Sequence, residues 1–196
     1  MISLAENYLT RGFWGDEAWT SLISQLPYLQ MLKTTAADFH PPGYYSAVEL
    51  VYKILPANEI GTRMISILFW WLTVCSVFLL ARKFKGQSFG LVSALVVAVN
   101  PIFFTYAFEA RNYTMFAFAA TGSIYALLRL LTPILKKDNP LQGLSLIWWL
   151  AVYVLFSALG IYTHYYMFFV LASQGLFIML FDRKIFLKMF LPWIAV

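Results

Sequence analysis

Four small groups of polar residues carry the side chains able to do chemistry. Asp16 and Glu17 are adjacent carboxylates in the segment Trp14-Gly15-Asp16-Glu17-Ala18. Asp38 and His40 precede a double proline, Pro41-Pro42, and a tyrosine pair, Tyr44-Tyr45. Glu109, Arg111 and Tyr113 form a charged corner, and His164 stands alone beside Tyr165. A carboxylate can take a proton from a hydroxyl. An arginine can grip a phosphate with two parallel hydrogen bonds. A histidine held by a rigid Pro-Pro element can donate to a phosphate or a sugar hydroxyl.

Each group also has a plainer reading. Asp16 and Glu17 suit a helix N-terminus, where acidic side chains meet the positive end of the dipole. Taken alone, that reading has the better prior. Neighbouring helical residues point about 100° apart, so one of the two carboxylates can face a reacting group while the other pairs with a cation or a backbone donor. Asp38 to Pro42 fits a turn before a helix, although a turn does not explain the histidine. Glu109 to Tyr113 fits a polar turn with an interfacial tyrosine, yet charged groups together at the end of a membrane helix mark a site. His164 fits a polar cap in a reversal.

These groups must be positioned by membrane helices. The 196-residue chain is 61% hydrophobic and 12% charged, against about 25% charged in soluble domains. Charge-free stretches run over Met64–Ala81, Gly86–Phe108, Asn112–Leu128 and Asn139–Phe181. A span needs about 20 residues. The last stretch holds 43 residues, so it reads as two helices reversing at Thr163-His164-Tyr165-Tyr166. The result is an all-α polytopic bundle with five spans near 62–82, 88–108, 112–131, 144–162 and 166–181. Leu191–Val196 reads as the opening of a sixth. Asn58 is placed to cap the first span, and Asn100-Pro101 predicts a kink in the second.

The first 61 residues form a separate external region before the bundle of residues 62–196. Apolar spacing at Trp19, Leu22, Ile23, Leu26 and Leu29 predicts an amphipathic helix over Asp16–Lys33. Tyr45, Val48, Val51, Tyr52 and Leu55 predict a second one, opened by Pro41-Pro42. Translocating such a region without a preceding membrane helix is difficult, so the chain reads as an N-terminal portion of a larger protein, truncated at both ends.

Basic residues set the orientation. Arg82, Lys83 and Lys85, then Arg129, Lys136 and Lys137, then Arg183, Lys184 and Lys188 occupy alternate connections. The positive-inside rule puts these in the cytoplasm. Both histidines and seven of the nine acidic residues then fall on the opposite side. The net charge of +5 comes from these short clusters and is no nucleic-acid footprint. Cys75 is the one cysteine, which excludes an internal disulfide and a cysteine-based metal site.

Taken in order, Asp16-Glu17, Asp38-x-His40-Pro41-Pro42, Glu109-x-Arg111-x-Tyr113 and His164-Tyr165 resemble the motifs of the lipid-phosphate-dependent glycosyltransferases of the C-type superfamily. The resemblance is greatest to the family 39-like bacterial proteins related to protein mannosyltransferases, and it covers the whole chain. It implies a C-type glycosyltransferase-like bundle in the plasma membrane, with the site on the extracytoplasmic face. It implies transfer of a sugar from a polyprenyl-phosphate donor to an acceptor hydroxyl, with inversion. Asp16 is then the base, and Glu17 a second catalytic residue that orients partners or binds acceptor. Asp38, His40, Glu109, Arg111, Tyr113 and His164 bind substrate, with Arg111 and His40 on the phosphate. Some members of the superfamily use a divalent cation, for which Asp16, Glu17, Asp38 and His40 offer ligands; no metal is assigned and no organic cofactor is expected. A transporter or flippase of a lipid-linked anion, or an inactive structural fragment, are the competing readings. The first of these predicts ionisable groups near the membrane midplane.

Overall fold

The computed structural model describes residues 8–38, 40–135 and 143–181. Among them the regular structure is helical: α1 (Gly15–Ser24), α2 (Tyr28–Ala36), α3 (Gly43–Tyr52), α4 (Glu59–Val99), α5 (Pro101–Ala107), α6 (Tyr113–Leu135), α7 (Gly143–Thr163) and α8 (Met167–Phe181). Glu59–Val99, Tyr113–Pro133 and Gly143–Thr163 are long and apolar enough to cross a membrane, and Met167–Leu180 is a shorter apolar helix. The chain is therefore an all-helical membrane bundle. The expected sixth helix at 191–196 and the basic residues Lys136, Lys137, Arg183, Lys184 and Lys188 lie outside the described residues.

Pro27 alters the first expected helix. It has no N–H to continue the ladder, so α1 ends at Ser24 and α2 starts at Tyr28, with Pro27 in the cap position. The buried face also differs from the apolar one that the spacing marked. In α1 it consists of Glu17, Thr20, Ser21, Ile23 and Ser24, while Leu22 and, in α2, Leu29 are exposed. The cause is what α1 packs on: Tyr52 of α3 donates to Ser21 Oγ at 3.0 Å, and Glu17 meets a buried arginine described below. Ile23, Met31 and Tyr45 form the small core of this region.

Asn58 caps α4, its side-chain oxygen accepting from Gly61 N at 2.9 Å. Replacing Asn58 with Ala removes this acceptor and is expected to cost about 1 kcal/mol, visible as a lower thermal midpoint with unchanged helix content.

Helix α4 is two arms, not one rod. Lys85 and Gly86 leave helical geometry, Gly86 with φ 83°, a conformation open to glycine. In a straight helix Phe78 and Gly90 would stand about 18 Å apart. Instead, a methyl group at Gly90 would lie 3.0 Å from the Phe78 carbonyl oxygen. The second arm thus folds back on the first, with Trp70, Val74 and Ala94 in one cluster with Ala107. At Asn100-Pro101 the expected kink is a full break. Asn100 is extended and its side chain accepts from Phe103 N at 3.0 Å, opening α5; a residue before proline is pushed to extended geometry.

Helices α6, α7 and α8 share the largest core cluster, including Leu127, Tyr153, Met167 and Ile178. Tyr153 donates to Gln174 Oε1 at 3.0 Å, and Gln174 Nε2 donates to Ser123 Oγ at 2.9 Å. Such interhelical polar links hold membrane helices together where lipid removes the hydrophobic drive.

Candidate active site

The site forms where α1 and α3 meet the first turns of α4 and α6. Its foundation is a pair of fully buried charges, Glu17 on α1 and Arg63 on α4. Arg63 Nε donates to Glu17 Oε1 at 2.9 Å and Nη2 to Oε2 at 2.7 Å, a bidentate fit that suits guanidinium and carboxylate. Arg63 Nη1 donates to the carbonyls of Leu9 and Arg11, at 2.6 and 2.8 Å. Glu17 Oε1 also accepts from Ala110 N at 2.9 Å. Burial works against the charged carboxylate, but the Arg63 hydrogen bonds, the Ala110 N–H and the Arg63 and Arg11 charges outweigh it and hold Glu17 below its ordinary range.

Above this pair lies the open ion pair. Arg111 Nη1 stands 3.0 Å from Asp16 Oδ2. The guanidinium lies over the Tyr113 ring at 4.7 Å and the Trp14 ring at 5.4 Å. Two neighbouring residues of α1 therefore hold two neighbouring residues of the corner: Glu17 holds Ala110, and Asp16 meets Arg111. Other bonds fix the same corner. Ser66 Oγ donates to the Arg111 carbonyl at 3.1 Å, and Asn112 Nδ2 donates to the Thr163 carbonyl at 2.9 Å.

Asp16 and Arg111 border a cavity of about 170 Å³, together with Asp38, His40 and Asn112. Trp19, Thr20, Tyr44 and Tyr45 complete its wall. His40 Nδ1 faces Asp38 Oδ2 at 3.4 Å. Burial, then the Asp38 charge, pushes the Tyr45 hydroxyl up to about 12. Burial also raises Tyr44, whose hydroxyl shares a 2.5 Å hydrogen bond with Ser66. Both phenols therefore remain protonated donors at neutral pH.

Of the residues singled out by sequence, Asp16, Asp38, His40 and Arg111 share this cavity. Glu17, Glu109, Tyr113 and His164 do not line it. Glu17 is turned to the buried Arg63. Glu109 lies 3.9 Å from Arg11 Nη2; burial raises its pKa, against the opposing charge of Arg11. Tyr113 is the platform under Arg111. His164 packs against the rings of Phe116 and Tyr166, with centroids at 5.3 and 4.6 Å. Its Nδ1 accepts from Tyr166 N at 3.2 Å, which puts the ring proton on Nε2. Burial, and then the charges of His40 and Arg111, lower its pKa, so the ring is neutral at neutral pH.

Arg63 was not among the residues marked by sequence. Its signal is position: it is the one charged residue between Glu59 and Arg82, a guanidinium one turn into a membrane helix, where charge is costly without a partner. Among the described residues, no group of three or more His, Cys, Asp or Glu side chains is placed to hold a metal ion.

The fold is thus a helical membrane bundle with a paired acid and guanidinium at one end. The chain belongs to the dolichyl-phosphate-mannose-protein mannosyltransferase family, whose pattern matches residues 39–196. Asp16 and Glu17 precede that stretch. An uncharacterized protein of Aquifex aeolicus (strain VF5) is 36% identical over 86 residues, which are 43% of this chain and 17% of that relative. No solved structure matches the chain.

Proposed function

We propose that this protein is a membrane glycosyltransferase that moves a sugar from a polyprenyl-phosphate donor to an acceptor hydroxyl, with inversion. The observation that carries this reading is the Asp16–Arg111 pair, 3.0 Å apart on one cavity; family membership supports it.

Asp16 is the base. The acceptor oxygen attacks the anomeric carbon from the face opposite the phosphate, and its proton passes to the Asp16 carboxylate. The bond from the anomeric carbon to the phosphate oxygen breaks, and its electron pair leaves with the lipid phosphate. A phosphate monoester has a second pKa of about 6, so it departs without a general acid. Its growing charge is held by Arg111, with His40 on the same cavity. A donor phosphate competes with Asp16 for Arg111, so donor binding frees the carboxylate for the acceptor. Glu17, with its oxygens committed to Arg63 and Ala110, is a positioning residue. Asp38, Trp19 and Tyr45 face the sugar.

By the positive-inside rule the site opens on the extracytoplasmic side of the plasma membrane. Arg82, Lys83, Lys85 and Arg129 belong to the other end, because α4 carries Arg63 at the site and reaches Lys83 about 30 Å along its axis.

The test is donor class. Intact protein in vesicles, supplied with a panel of polyprenyl-phosphate hexoses and pentoses and an envelope acceptor fraction, is expected to release polyprenyl phosphate from at least one of them. GDP-mannose under the same conditions is expected to remain intact. Turnover of the nucleotide sugar alone, or of no lipid-linked donor, would contradict the reading.

A further inference from the structure

A second cavity, of about 480 Å³, opens on the external region at the start of α2. The turn between α1 and α2 supplies Ser24, Gln25, Pro27 and Tyr28, and the end of α3 supplies Glu49 and Lys53. Ala57, also in the wall, precedes Asn58, the cap of α4. The cavity therefore sits at the same membrane surface as the Asp16–Arg111 site. The two cavities stand at opposite ends of α2: Tyr28 opens that helix, and Asp38 and His40 follow it, about 12 Å or more further along its axis. Nothing in the proposed sugar transfer uses the second one.

Its polar groups are only partly committed. Ser24 is 1% exposed, yet its hydroxyl has no hydrogen-bond partner among the described residues. Buried hydroxyls are rarely left unpaired, and Ser24 belongs to the cavity wall. Gln25 Nε2 donates to the Ser21 carbonyl at 3.0 Å, which fixes the amide and leaves Oε1 as an acceptor. Tyr28 is 50% exposed, and its ring meets no other ring or cation among the described residues. Glu49 and Lys53 neutralise each other, Oε1 and Nζ standing 3.2 Å apart, so the wall carries no net charge.

We propose that this cavity binds a neutral saccharide, one ring stacked on Tyr28 with its hydroxyls turned to Ser24 and Gln25. The chemistry of the wall selects the occupant. A sugar has C–H faces that pack on an aromatic ring and a rim of hydroxyls, each both donor and acceptor. An apolar ligand would leave the Ser24 hydroxyl and the Gln25 carbonyl unpaired. An ionic one would have to compete for Glu49 or Lys53 with the partner each already has. Binding does not depend on the sugar-transfer reading; under that reading the cavity holds the far units of a glycan acceptor whose reacting hydroxyl lies at Asp16.

The test is titration of the full chain in nanodiscs with neutral tetrasaccharides of glucose, mannose, galactose and N-acetylglucosamine, read by isothermal calorimetry. At least one is expected to bind with a Kd of about 1 mM or tighter. Tyr28→Ala should weaken that binding roughly tenfold, the scale of one stacked ring. Ser24→Ala should weaken it about fivefold, the scale of one hydrogen bond. It should do so without lowering the thermal midpoint, since the hydroxyl it removes holds nothing among the described residues. Leu29 is 73% exposed beside Tyr28 but outside the cavity, so Leu29→Ala should bind as the wild type does. No binding of any of the four sugars would overturn the proposal. So would equal affinity in the wild type, Tyr28→Ala and Ser24→Ala, which would put the sugar elsewhere, or binding of a serine- and threonine-rich peptide in place of the sugars.

Discussion

Asp16→Asn is expected to lower the rate of sugar transfer by about 10²–10⁴-fold, the usual worth of a positioned base. Donor affinity should not fall, because the neutral side chain no longer competes with the donor phosphate for Arg111. The Asp16 side chain is half exposed, and an exposed ion pair contributes about 1 kcal/mol or less. The variant should therefore insert and fold as the wild type does, so the loss falls on kcat and not on protein yield. Asparagine keeps the shape and the hydrogen-bond reach of Asp16 but cannot hold the acceptor proton. Transfer at wild-type rate would remove Asp16 from the base role.

Arg63→Ala is expected to destabilise the protein by about 3–5 kcal/mol, because it leaves the Glu17 carboxylate buried without its partner. The carbonyls of Leu9 and Arg11 lose their donor as well. Glu17→Met combined with Arg63→Met should recover part of this stability, since apolar pairs of similar volume replace buried ion pairs well. It should not recover activity: Ala110 N–H would still lack its acceptor, and Arg111 follows Ala110 directly. Stability and turnover therefore separate in the double variant, and a thermal midpoint measured beside a transfer rate shows it. The same pair makes stability depend on acid. Because the folded Glu17 pKa is lowered, its contribution is complete above the unfolded value of about 4.3. It is lost as pH falls through the lower folded value. Glu17→Gln should flatten the stability profile in that window.

The membrane helices were legible because charge is excluded from them for a physical reason, and the gaps between Arg63, Arg82, Glu109, Arg111 and Arg129 outline the helices well. Asn58 was legible as a cap because only its own turn decides that role. The pairing of Asp16 with Arg111 could be expected from their shared membrane side, but the distance between them could not. The different tasks of Asp16 and Glu17 follow from the angle between adjacent helical residues; which of them faces inward depends on Arg63, 46 residues further along. Arg63 itself is hidden in the sequence because it stands at the edge of the apolar stretch that begins at Met64. The buried face of α1 is hidden for a related reason: periodicity finds the apolar side, and here the polar side meets the protein. The reversal at Lys85-Gly86 left only a short basic turn as its trace.

The coupling between Asp16 and Arg111 is the most direct test of a shared site. Asp16→Asn, Arg111→Gln and the double variant form a cycle, with kcat/KM for a polyprenyl-phosphate sugar as the readout. Residues in contact and acting on one reaction are expected to couple by about 0.5–3 kcal/mol, so the double variant should be far more active than the product of the two single losses predicts. Strictly additive losses would mean that the two groups work apart, and that the cavity they border is not where sugar transfer occurs.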